Sequence, residues 1–70
     1  MDRKKFFAVR MKELREEQGL AQAKLAELIG VNQAFIGHIE TGKSSVSVDM
    51  LIVISDYFKV TPDYLLGYKD

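Results

Sequence analysis

Residues 22–40 read Gln-Ala-Lys-Leu-Ala-Glu-Leu-Ile-Gly-Val-Asn-Gln-Ala-Phe-Ile-Gly-His-Ile-Glu, and this stretch decides the fold. Leu25, Leu28 and Ile29 recur at helical spacing and predict a helix over about 22–29 with those three inward. Gly30 ends it, because glycine takes the positive φ of a tight turn without steric cost. Asn32 is a good N-cap for a next helix, about 33–40. Ala26, four residues before Gly30, is small enough to let a second helix cross closely. Leu25, Ile29, Val31, Ile36 and Ile39 are the apolar positions that lock the two helices together.

Outward from this pair the pattern stays helical. Toward the N-terminus, Phe7, Met11 and Leu14 form one apolar stripe at i, i+4, i+7, and Gly19 stands where a left-handed C-cap would end that helix. Toward the C-terminus, Gly42 stops the third helix and residues 43–47 form a loop. Ser47 or Ser45 caps a fourth helix, about 48–58, with Asp49 in its first turn and Leu51, Ile54 and Phe58 inward. Thr61-Pro62-Asp63 starts a short fifth helix that Gly67 ends. Met50–Ile54 could be read as a strand, but the caps around it favour a helix. The expected fold is all-α, a compact five-helix bundle in one domain over 1–70, with helices 4 and 5 at about 48–66. The pair at 22–40 reads as a helix-turn-helix.

Composition excludes several classes. The chain has 70 residues, 47% apolar and 29% charged, with no cysteine. That rules out a disulfide scaffold and a cysteine-based zinc site. A chain this short buries about 60% of its unfolded surface, so its stability is marginal. The longest apolar run, Met50–Ile54, is far below the roughly 18 residues of a membrane span. The basic N-terminus is not followed by a signal-peptide apolar region, and a cytoplasmic location is expected. Ser44, Ser45, Ser47 and Ser55 have no base with an orienting partner, and the single His38 has no second ligand to share a metal. No P-loop or dinucleotide motif occurs. The chain is therefore expected not to be an enzyme and to hold no metal, cofactor or small-molecule ligand.

The net charge is zero, which speaks mildly against a nucleic-acid partner, but the charge is segregated. Residues 1–15 carry six cations against Asp2 and Glu13, a balance of +4. Residues 16–43 and 44–70 each stand at −2, the latter from Lys59 and Lys69 against Asp49, Asp56, Asp63 and Asp70.

The segments Leu14–Leu20, Gln22, Leu25-Ala26, Gly30-Val31, Ile36, Ile39-Glu40, Gly42-Lys43 and Val60–Gly67 together resemble the Cro/C1-type (XRE-type) helix-turn-helix repressors. The resemblance covers roughly residues 7–67. It implies a third helix that enters the major groove of double-stranded DNA, in the geometry of the λ and 434 repressors. It implies that Gln22 binds a phosphate and buttresses the first residue of the recognition helix, and that Lys43 contacts the phosphate backbone. It further implies a structural ion pair between Arg15 and Glu40, and dimers formed through C-terminal elements.

With Gln33 at 0° and about 100° per residue, Ile36, Ile39 and Glu40 fall near 300°, 240° and 340°, so the inward face centres near 270°. Ala34, Gly37, His38 and Thr41 face outward, Gln33 stands at the leading edge, and Phe35 straddles the boundary. Four residues are the candidate base contacts. Gln33 can pair with adenine N6 and N7, and His38 can donate to guanine. Ala34 can pack on a thymine methyl, and Gly37 allows close approach. Asn32, chiefly an N-cap, and Arg10 are further phosphate candidates beside Gln22 and Lys43. Met50, Val53 and Tyr57 make a second apolar stripe on helix 4, and Val53, Tyr57, Tyr64 and Tyr68 are the candidate surface of a homodimer. Two features depart from the family pattern. Ala21 stands where a capping residue is usual, and the third helix carries neither Lys nor Arg. The expected function is sequence-specific DNA binding by a transcriptional regulator, most simply a repressor on a palindromic operator. The alternative is a protein-interaction module or antitoxin-like regulator that keeps the fold with weak DNA specificity, which the zero charge and neutral third helix favour.

Overall fold

Three of the helices start where a side chain supplies a cap. The computed structural model describes residues 3–68; Asp2, Lys69 and Asp70, counted in the charge balance above, lie outside the described residues. Five helices follow in order: α1 (Arg3–Glu17), α2 (Gln22–Ile29), α3 (Gln33–Glu40), α4 (Val48–Phe58) and α5 (Pro62–Leu66). Asn32 Oδ1 accepts from the Phe35 N–H at 2.8 Å, Ser47 Oγ from Met50 at 3.0 Å, and Thr61 Oγ1 from Tyr64 at 3.1 Å. Each satisfies one of the amides that a helix N-terminus leaves unpaired. Ala21 has the extended backbone of a cap but no side chain to accept, so α2 starts uncapped. Gly30 turns the chain at φ 79°, its N–H and that of Val31 both donating to the Ala26 carbonyl.

The core is built from all five helices. Met11, Leu25, Ile36, Ile39, Ile54 and Leu65 are fully buried, with Phe7, Ala8, Ala26 and Phe58 beside them. α3 packs on α2 and α1, α5 lies on α1 and α4, and α4 also meets α2. Ala26, 3% exposed, is part of the core cluster with Leu25, Ile36 and Ile39. The fold measures 28 × 24 × 22 Å, with a Cα radius of gyration of 10.8 Å. That is close to the roughly 11 Å expected for a compact chain of this length. Among the described residues there is no strand, and Met50–Ile54 lies within α4. No helix is long and apolar enough to cross a membrane.

One expected core residue is not in the core. Leu28 was expected to face inward but is 46% exposed. An eight-residue helix with Leu25 and Ala26 at its buried centre turns Leu28, about 60° beyond the Leu25–Ile29 line, toward solvent. Ile29 keeps partial burial against the core.

Candidate nucleic-acid interface

α3 is clamped on one side and open on the other. Ile36 and Ile39 are 0% and 1% exposed and fasten its inner face. Its C-terminal end is held by charge. Arg15 of α1 donates from Nε to Glu40 Oε2 at 2.7 Å and from Nη2 to Glu40 Oε1 at 3.0 Å, a bidentate pair. Arg15 Nη1 donates to the Leu20 carbonyl at 2.6 Å, which ties the α1–α2 connection into the same group. The two side chains are 10% and 3% exposed. The hydrogen bond to Glu40 holds the Arg15 pKa above the usual guanidinium value, against the opposing pull of burial.

The expected ion pair is thus present, with a member that sequence reading missed. Gln22, at the start of α2, donates from Nε2 to Glu40 Oε1 at 3.0 Å. The spacing of eighteen residues gives no local signal for that bond; only the packing of α2 across the end of α3 creates it.

Gln33, Ala34, His38 and Thr41 are exposed on the opposite side of α3, and Gly37 is half-buried between them. The Thr41 hydroxyl lies 3.0 Å from the Gly37 carbonyl and 3.3 Å from that of His38, so it is directed back onto the helix. Phe35 is half-buried and packs against the core, matching its place on the boundary. Gly37 is not a steric necessity: a Cβ there would meet only the Gln22 amide, at 3.7 and 3.9 Å. Lys43 is exposed just beyond the helix, its backbone N–H anchored on the His38 carbonyl at 2.9 Å. Asn32 flanks the other end and spends its carboxamide oxygen on the cap, which leaves its nitrogen to donate. Gln22, Asn32, Gln33, Ala34, Gly37, His38 and Lys43 therefore lie on or at the ends of the α2–α3 unit.

Arg10 is placed elsewhere. Its guanidinium lies 4.4 Å from the Tyr64 ring centre and 6.0 Å from that of Phe6, on the α1–α5 side. Of the remaining candidates, Tyr64 carries Arg10 and is half-buried, and Tyr57 is half-buried edge-on against Phe58 at 5.0 Å. Val53 and Tyr68 are 39% and 61% exposed. Two exposed apolar residues of α4 were missed, Val48 at 72% and Ile52 at 49%. Their i, i+4 spacing is visible in the sequence, and they lie off the Leu51, Ile54 and Phe58 stripe that was expected to face inward and does.

Comparison with known proteins agrees with this architecture. A family model described as helix-turn-helix (HTH_3) matches residues 11–65. The HTH-type transcriptional regulator YobD of Bacillus subtilis is 30% identical over 64 residues, 91% of this chain and 57% of its own length. The HTH-type transcriptional regulator PrpR of Mycobacterium tuberculosis is 25% identical over 65 residues, 93% of this chain but 13% of its own. The chain thus spans a little over half of one of these curated relatives and about an eighth of the other. The crystal structure of the restriction-modification controller protein C.AhdI from Aeromonas hydrophila superposes with a TM-score of 0.79 at 31% identity, covering 89% of this chain and 94% of that one. With its α2–α3 pair, its Arg15–Glu40 clamp and a family match over most of its length, the chain belongs to the helix-turn-helix (HTH_3, Cro/C1-type) family of DNA-binding transcriptional regulators.

Proposed function

We propose that this chain is a sequence-specific DNA-binding unit that inserts α3 into the major groove and acts, in the cytoplasm, as a repressor of transcription. The carrying observation is the open face of α3: Gln33, Ala34 and His38 are exposed on a helix whose other face is locked by Ile36, Ile39 and Glu40. Gln33 pairs with adenine, His38 donates to guanine and Ala34 meets a thymine methyl. Lys43 and the Asn32 amide nitrogen lie around that face for the phosphates, which position the helix without reading sequence.

The unit works as a symmetric homodimer. Val48, Ile52 and Val53 leave apolar surface on α4, and Tyr68 is exposed beyond α5. Two recognition helices then lie about 34 Å apart on a palindromic operator. C.AhdI, a restriction-modification controller, is a regulator of which this fold covers 94%.

Selection of bound sequences from random duplexes tests this. A palindromic consensus is expected. Gln33→Ala then relaxes preference at one position by about 1–3 kcal/mol, whereas Lys43→Ala weakens all duplexes alike and lowers the salt slope by about 1. Recovery of no consensus by the folded protein would refute DNA reading and favour a protein-interaction module, the reading that the absence of Lys and Arg from α3 supports.

A further inference from the structure

Two observations meet where α2 crosses α3. The first is the Gln22 amide, whose Nε2 donates to Glu40 Oε1 at 3.0 Å. Glu40 is ion-paired with Arg15 at 2.7 Å, so its carboxylate offers only acceptors. The orientation of the Gln22 amide is therefore set by chemistry: nitrogen toward Glu40, oxygen turned away. The second is Gly37. A Cβ built there would lie 3.7 Å from Gln22 Oε1 and 3.9 Å from Nε2, in ordinary contact. Gly37 lies on the outward face of α3, one turn from Gln33, and both Gly37 and Gln22 are half-buried with part of their surface open. The place left empty by a missing α3 side chain is thus bordered by an amide supplied from α2.

We infer that Gln22 is a specificity-determining residue: held by Glu40, it reads a base edge through the gap over Gly37, its Oε1 accepting from the exocyclic amine of adenine or cytosine. Those amines are the donors that the major groove presents. The inference rests on the reading of α3 as the recognition helix. It departs from the phosphate role that the family resemblance implies for Gln22. Oε1 is an acceptor, as phosphate oxygens are, and with one Nε2 proton on Glu40 only the second is left for a phosphate, whereas Oε1 is whole for a base amine. A neutral α3 with no Lys or Arg gains in this way a reading group that its own sequence lacks.

The test uses the duplex recovered by selection and all its single-base-pair variants, at one fixed salt concentration. Gly37→Ala fits the available space and replaces a poor helix former, so the variant is expected to melt no lower than the parent. Its methyl covers the Gln22 amide. Gly37→Ala and Gln22→Ala are each expected to flatten preference at the same base pair by about tenfold, with the remaining profile kept. That pair differs from the one Gln33→Ala affects. Uniform weakening by Gln22→Ala with no change from Gly37→Ala would show a phosphate contact and overturn the inference. Flattening at two different pairs would overturn it as well. A profile that responds to Gln33 but to neither other residue overturns this inference alone; one indifferent to Gln33 overturns the recognition-helix reading itself.

Discussion

Arg15 has no hydrophobic role, yet it is 8% exposed in the middle of the domain. Its guanidinium spends three nitrogens on Glu40 and the Leu20 carbonyl, which joins α1, the α1–α2 connection and α3 at one point. Arg15→Ala leaves the Glu40 carboxylate, 3% exposed, with only the Gln22 amide. An uncompensated buried charge costs about 3–5 kcal/mol. In a domain of this size each kcal/mol moves the melting temperature by roughly 4–8 °C. A severe loss of thermal stability is therefore expected, and Arg15→Lys is expected not to restore it. One ammonium group cannot reproduce a planar fork that reaches two carboxylate oxygens and a carbonyl. A melt within a few degrees of the parent would show that the pair contributes little. The partner of Arg15 was legible only through family resemblance, since twenty-five residues separate it from Glu40.

Among the elements, α5 is the shortest, and its five residues have no independent stability. It is held by α1. Leu65 is fully buried, Arg3 Nη1 donates to the Leu66 carbonyl at 3.1 Å, and the guanidinium groups of Arg3 and Arg10 lie over Tyr68 and Tyr64 at 4.0 and 4.4 Å. Such cation–aromatic contacts are worth about 0.5–1 kcal/mol each at exposed sites. Gly67 closes the helix at φ 83°, and a Cβ there would fall 2.7 Å from the Phe6 ring. Gly67→Ala thus combines a left-handed backbone with a clash against a half-buried ring. A loss of about 1–3 kcal/mol is expected from the overpacking, read as a lower urea midpoint. An unchanged midpoint would mean that the α1–α5 contact yields freely. The role of Gly67 as a helix stop was legible in sequence, but its contact with Phe6, sixty-one residues away, was not.

At the scale of the whole molecule, the zero net charge acquires a sharper meaning. The N-terminal excess of +4 suggested cations for the phosphates. Folding engages Arg15 with Glu40 and stacks Arg10 on Tyr64 of α5 and Arg3 on Tyr68 just beyond it. Modest non-specific affinity and a shallow salt dependence follow, since counterion release scales with the phosphates neutralised. In the proposed homodimer, affinity depends on pairing two units. Ile52, 49% exposed on α4, lies outside the core, so Ile52→Asp is expected to leave the fold intact. The same substitution is expected to shift sedimentation toward monomer and to weaken operator binding at least tenfold. A dimer as stable as the parent's would move the interface away from α4.

The positions of all five helices were determined by the sequence itself, because their signals are local. Capping residues at Asn32, Ser47 and Thr61, and glycines at 30 and 67, act within one turn of the backbone they terminate. The inward faces of α1 and α3 followed from periodicity for the same reason. Tertiary structure alone decided what depends on crossing helices. It turned Leu28 outward, laid Arg10 on Tyr64, and brought the Gln22 amide to Glu40 beside Gly37. A hydrogen bond between groups eighteen residues apart exists only after the chain has packed, so no periodicity in the sequence encodes it.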